Sequence, residues 1–168
     1  MKQRRTDMAF LMLSICGYCL FAGSFILMPV ERMGVLPGLL FWGGLILGAA
    51  FQIVLESRRR AFFKKYKADR DKMQKPRNGL LSFASNKVAT VVDCILAVSF
   101  VATVLAFVLT KGTGNVCYIG ISASLFSFCM HCIFNGRNYF FINNQNKIQQ
   151  ALDQKKAKTT NKGEGNNG

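Results

Sequence analysis

Acidic side chains are scarce in this 168-residue chain: eight Asp and Glu stand against 22 Lys and Arg, for a formal net charge of +14. There is one histidine, one tryptophan and only three prolines. No nucleotide-binding loop, nucleophile elbow, zincin motif or paired-carboxylate motif occurs, so the enzyme classes built on them find no support. No Asn-x-Ser/Thr sequon is present, so nothing points to N-glycosylation. Charge itself is all but missing from four long stretches, 8–28, 33–55, 88–110 and 116–134, in which Asp93 is the lone carboxylate.

These stretches are the dominant feature that is present. Roughly 20 helical residues cross the ~30 Å hydrocarbon core of a bilayer, and each stretch has about that length. The basic residues fall in alternate gaps between them. Three lie in the N-terminal arm, eleven in the loop 56–87 and six after the fourth stretch, leaving only Arg32 and Lys111 on the opposite side. The positive-inside rule then places both termini and the middle loop in the cytoplasm. This pattern also accounts for the net charge, because cytoplasmic segments carry Lys and Arg for topology and for contact with anionic lipid. Nucleic-acid binding is therefore not expected.

The expected fold is an all-α integral membrane protein with four transmembrane helices, arranged as two antiparallel hairpins in one bundle. Its parts are a basic arm (1–7), a first hairpin (8–55), a basic cytoplasmic or interfacial loop (56–87), a second hairpin (88–142) and a polar tail (143–168), disordered at its end. The first apolar run, about 21 residues, exceeds the h-region of a cleaved signal peptide and reads as an uncleaved anchor. The expected location is the plasma (cell) membrane.

Small residues recur on the second run, where Gly34–Gly38 and Gly44–Gly48 are both GxxxG pairs that admit a close helix neighbour. On the fourth run Cys117, Gly120, Ser124, Ser127, His131, Asn135 and Asn138 recur at steps of three and four, which puts them on one helical face. Packing is the default role of such faces, with Gly120 and Ser124 as contact points.

Asp93 and His131 are the candidate functional pair. Each lies about 9 Å or less from the inner end of its span at 1.5 Å per residue, so the two can meet. Intramembrane ionisable groups mark proton or ion paths, or they form buried hydrogen bonds that fix helix register. Their shallow depth favours the second role. In the basic loop, Arg58, Arg59, Arg60, Lys64 and Lys65 alternate with Phe62, Phe63 and Tyr66, a mix suited to anionic headgroups or to a docked partner. Arg137, followed by Tyr139, Phe140 and Phe141, reads as a lipid anchor with an aromatic belt.

Two CxxC strings remain, Cys16-Gly17-Tyr18-Cys19 and Cys129-Met130-His131-Cys132. Their spacing and the helix count resemble four-helix membrane thiol oxidoreductases of the disulfide-forming and vitamin K epoxide reductase kinds. That resemblance implies redox chemistry at Cys16, Cys19, Cys129 and Cys132. Redox CxxC pairs sit at helix N-termini, however, where the dipole stabilises a thiolate, and these pairs do not. Their unequal depth, roughly 13–18 Å against 5–9 Å, also strains a shared tetrahedral metal site. Small multidrug transporters share the four spans but carry a Glu in the first, which this chain lacks.

The functional expectation is a non-enzymatic accessory or interaction protein acting through its helices and basic face. A small proton-coupled transporter or channel subunit using Asp93 and His131 is the alternative, and a thiol-redox or metal protein the third. No cofactor or metal is expected. The expected partners are an anionic bilayer surface and a membrane-protein partner or second copy.

Overall fold

The computed structural model describes residues 2–30, 34–65, 79–112 and 114–164. Among them the chain is all-helical. We label the helices α1 (Lys2–Leu27), α2 (Leu36–Lys65), α3 (Lys87–Leu109), α4 (Asn115–Phe134) and α5 (Arg137–Glu164). Four helical segments are long and apolar enough to cross a membrane, the last of them running through α4 into α5.

Helix α1 packs closely on α2, and contacts descend α2 as they ascend α1. Phe10 stacks on Phe51, the Ser14 hydroxyl donates to the Gly48 carbonyl, and Phe21 meets Phe41. The backbones touch near the middle. A Cβ added at Gly17 would lie 2.5 Å from the Gly48 nitrogen, and one at Gly44 would collide with the backbone at Gly17 and Phe21. Three glycines on two helices thus set the axis separation, because residues without a side chain let helix backbones approach closely. Gly34 and Gly38 take no part. Gly34 lies before the helix with φ +52°, and neither it nor Gly38 has a neighbour within 4 Å of an added Cβ. Among the described residues the first GxxxG therefore brings no neighbouring helix close.

Helices α3 and α4 form the second closely packed pair, again with opposed contacts. Thr110 meets Cys117, Thr103 Oγ1 lies 2.8 Å from Ser124 Oγ, and Gly120 leaves room for Thr103. The pairs join through α1 and α4, where the Ser122 hydroxyl donates to the Ala22 carbonyl across the interface. The four helices thus lie in the order α2, α1, α4, α3, and Ala89 is the one buried residue of α3.

The main apolar core lies at one end of this row. Leu11, Leu55, Phe62, Phe63, Met130, Ile133, Phe141, Ile142, Ile148 and Leu152 cluster there. Phe62, Phe63 and Phe141 form edge-on and tilted contacts at 5.1–5.7 Å. This corrects the reading of Phe62, Phe63 and Phe141 as headgroup-level aromatics. They are 5%, 3% and 2% exposed because α5 turns back across the end of α1 and α2 and covers them.

α5 also runs to Glu164, past Lys155, where composition predicts loss of order. Once Ile148 and Leu152 are docked, each further residue only propagates an existing helix, and the costly nucleation step is already made. The segment 66–78, which includes Tyr66 and the Pro76-Arg77-Asn78 breaker, lies outside the described residues.

A Cβ at Gly17 meets backbone that cannot give way. Gly17→Ala should therefore lower stability by about 1–3 kcal/mol, the cost of overpacking, read as an earlier midpoint in a detergent-denaturation titration. Gly38→Ala should shift it by no more than about 0.5 kcal/mol.

Candidate functional site: a polar clamp at the α3–α4 end

Asn86 opens the site. Its Oδ1 accepts the Ala89 N–H at 2.9 Å and so caps α3, while its Nδ2 donates to the Phe134 carbonyl at the end of α4. One side chain thereby ties the start of α3 to the end of α4, satisfying an unpaired group at each terminus. Two turns along, Asp93 meets His131. His131 Nδ1 lies 2.6 Å from Asp93 Oδ1, which also accepts from Asn135 Nδ2 at 3.0 Å. The other carboxylate oxygen accepts the Ala84 N–H at 2.6 Å.

The remaining contacts gather the connection 79–86 onto the helix ends. Asn135 Oδ1 accepts from both the backbone N–H and the hydroxyl of Ser85, at 3.2 and 2.7 Å. His131 Nε2 faces the Leu80 carbonyl at 3.4 Å. The ring lies against Phe83, 4.7 Å between centroids, and is 1% exposed. Ala84 sits at φ +50°, a left-handed conformation that costs a residue with a Cβ about 1–3 kcal/mol. Its bond to Asp93 helps hold it there.

The network is consumed internally. Asp93 receives three donors, His131 has two oxygen partners, and Asn135 uses both ends of its amide. Chemically, this arrangement holds a proton between fixed partners and fastens a loop to two helix ends.

The basic residues divide. Arg58 pairs with Asp7, which is 1% exposed, and lies over the Phe10 ring. Arg59 is only 1% exposed and bonds Glu56 from Nε and Nη2. This corrects its assignment to lipid or partner contact: its position on the helix face under α5 directs it into the core. Arg60, also bonded to Glu56, is exposed, as are Lys64, Lys65 and Arg137. Lys64 and Lys65 end α2, where positive charge complements the helix dipole.

The cysteines are free thiols: Cys16 and Cys19 are exposed, whereas Cys129 and Cys132 are partly buried and line a cavity with Tyr18. Among the described residues no three His, Cys, Asp or Glu side chains are grouped to hold a metal ion.

Two polar groups contain residues that the sequence did not single out: Asp7 and Gln145 join Arg58 across α1, α2 and α5, and Ser14 and Gln52 join Asn138 in a chain from α1 through α2 to α5. Asp7 is the one carboxylate in the basic arm, and Ser14 and Gln52 interrupt apolar runs. Those were the available signals. The chain matches no family model, no curated protein and no solved structure.

His131→Ala would leave Asp93 without one of its two closest partners. The expected cost is about 3 kcal/mol, the lower end for a broken buried pair, since the Asp93 side chain retains 12% exposure. Amide exchange at Ala84 and Ser85 should accelerate in this variant and in Asp93→Ala, while exchange in the middle of α1 stays unchanged.

Proposed function

We propose that the chain is an integral membrane protein of accessory, interaction type, non-enzymatic, acting through its helices and a basic face. In this reading α1–α2 and α3–α4 are two membrane hairpins. The end bearing Asp7, Arg58 and the Asp93–His131 clamp faces the cytoplasm, as do both termini. The bilayer is the cell membrane, and its anionic headgroups are the first partner of Arg60, Lys64, Lys65 and Arg137. A protein partner or second copy is the other.

One observation carries this reading: the exclusion of charge from the middle of the four helices, with Lys111 the one described charge at the end opposite Arg58. Among the described residues there is no Asp, Glu, Lys, Arg or His in α1 beyond Asp7, in α2 before Glu56, in α3 beyond Asp93, or in α4 before His131. A charge at mid-span costs about 2.5–3.5 kcal/mol on insertion scales, and transport paths accept that cost because they need titratable or coordinating groups there. This chain places none. Its ionisable pair instead fastens a connection at the basic end, which favours a scaffold over a conduit. The exposed cations Arg60, Lys64 and Lys65 then form a surface that anionic headgroups or an acidic partner segment would meet, each contact near the surface contributing about 1 kcal/mol.

Two measurements test it. Proteoliposomes containing the protein should show proton flux equal to that of protein-free vesicles; flux above that level, abolished by Asp93→Asn, would establish the transporter reading instead. Crosslinking in native membranes should capture a defined partner in constant proportion to the chain. That product should fall at least about tenfold when Arg60, Lys64 and Lys65 are changed together to Gln, as expected for the loss of some 1.4 kcal/mol or more. Recovery of lipid alone would count against the interaction role.

A further inference from the structure

The connection that precedes α3 does not lead away from the helices. Gly79 lies against the Cys132 carbonyl near the end of α4. From there the Leu80 carbonyl faces His131 Nε2, and the Ala84 N–H donates to Asp93 Oδ2 before Asn86 starts α3. Asp93 is six residues beyond Lys87, about 9 Å into α3 at 1.5 Å per residue. The connection therefore folds back beside the first two turns of α3.

What it exposes there is apolar. Leu80, Leu81 and Phe83 are 51%, 73% and 67% exposed, and residues 79–86 carry no charge. The polar side chains turn the other way, Ser85 to Asn135 and Asn86 to the Phe134 carbonyl. In water such a segment would leave its apolar surface hydrated while its polar groups are spent inside, the opposite of what the hydrophobic effect favours. The surface it joins has the same character. The Phe83 and Phe128 rings lie 4.7 and 6.3 Å from the His131 ring, so Phe83 extends the exposed aromatic surface of α4. The first turns of α3 expose Val88 and Val91 as well, and Lys87 is exposed at the helix start.

We propose that residues 80–83 form a wedge that enters the bilayer at the boundary between head groups and acyl chains, held at that depth by the Asp93–His131 clamp. Amphipathic interfacial elements bury their apolar face roughly 5–10 Å into this boundary, which matches the position of Asp93 along α3. Lys87 then stands among the phosphates. An acidic partner segment would suit Arg60, Lys64 and Lys65, but it finds no cation within 79–86. The proposal rests on the membrane placement argued above, and adds to it a lipid contact made by a connection rather than by a helix.

The test is tryptophan fluorescence of the full chain in phosphatidylcholine vesicles, with acyl chains brominated either on their upper carbons or near their methyl ends. The unaltered protein has one tryptophan, Trp42, which is 63% exposed on α2. Its quenching by brominated lipid reads the membrane placement by itself, and no quenching would refute that placement. In Leu81→Trp combined with Trp42→Phe, upper-carbon bromines should lower the emission at least twofold and more than the deeper bromines do, as for a ring roughly 5–10 Å below the boundary. Aqueous iodide should have little effect. Quenching by iodide and not by bromine would put the segment in water, and protection from both would mean that protein covers it. Either result, with Trp42 quenched in the unaltered chain, would overturn the wedge and leave the placement standing.

The clamp is tested in the same background. Asp93→Ala removes the acceptor of the Ala84 N–H, so iodide should then reach the indole at position 81, while bromine quenching of Trp42 in the single Asp93→Ala variant stays as in the unaltered chain. An unchanged iodide response at position 81 would overturn the clamp's part in holding the wedge.

Discussion

The backbone contact of α1 with α2, at Gly17, Gly44 and Gly48, sets the geometry on which most of the other interactions depend. Where the surroundings are as apolar as the side chains, helices gain little from burying apolar surface and associate through close packing and hydrogen bonds. Close approach at these glycines fixes the register of the pair, and several polar contacts follow from it. Ser14 reaches the Gly48 carbonyl, Gln52 reaches Ser14, and three turns after Gly48 Arg58 comes opposite Asp7. Only then are Phe62 and Phe63 presented where α5 can cover them with Phe141. A slip of one residue between α1 and α2 would undo all of these together.

The second helix pair is held differently. Gly120 brings Thr103 close, but hydrogen bonds made by side chains mark the seam, from Thr103–Ser124 to Asp93–His131 and from the Asn86 amide to the Phe134 carbonyl. The strongest of these are at one end, where Asp93, His131 and Asn135 also hold residues 79–86. That distribution fits the membrane placement proposed above, in which ionised groups are least costly near the surface. It also leaves α3 anchored on one side only, with its apolar residues outward.

Much of this was legible in the sequence, and the limits are instructive. The four apolar runs match helices because length and composition decide that question almost alone. Asp93 and His131 could be matched because they are rare in their runs and equally far from their ends, and helical spacing put Gly120, Ser124, His131 and Asn135 on one face. Periodicity does not say which neighbour a face meets, so Gly34–Gly38 and Gly44–Gly48 looked equivalent although only the latter touches α1. Arg59, Phe62 and Phe63 were misplaced for a related reason: a basic, aromatic segment reads as surface until an element far along the chain covers it. Ser14, Gln52 and Asn138 carry no motif. Their partnership spans 124 positions, from α1 to α5, and exists only once three helices are in register.

The joint between α4 and α5 is where the clamp and the polar chain from Ser14 through Gln52 meet. His131 and Asn135 belong to the first and Asn138 to the second, all within eight residues of chain. Gly136 turns the chain between the helices, and a Cβ there would lie 2.7 Å from the Cys132 carbonyl; Gly79 approaches the same carbonyl from the connection. The joint is thus gripped from one side by residues 79–86, through Ser85 and Asn135, and from the other by Gln52, through Asn138. The position of the clamp at the end of α4, rather than deeper along the seam, means that the same residues that tie α3 to α4 also set where α5 starts.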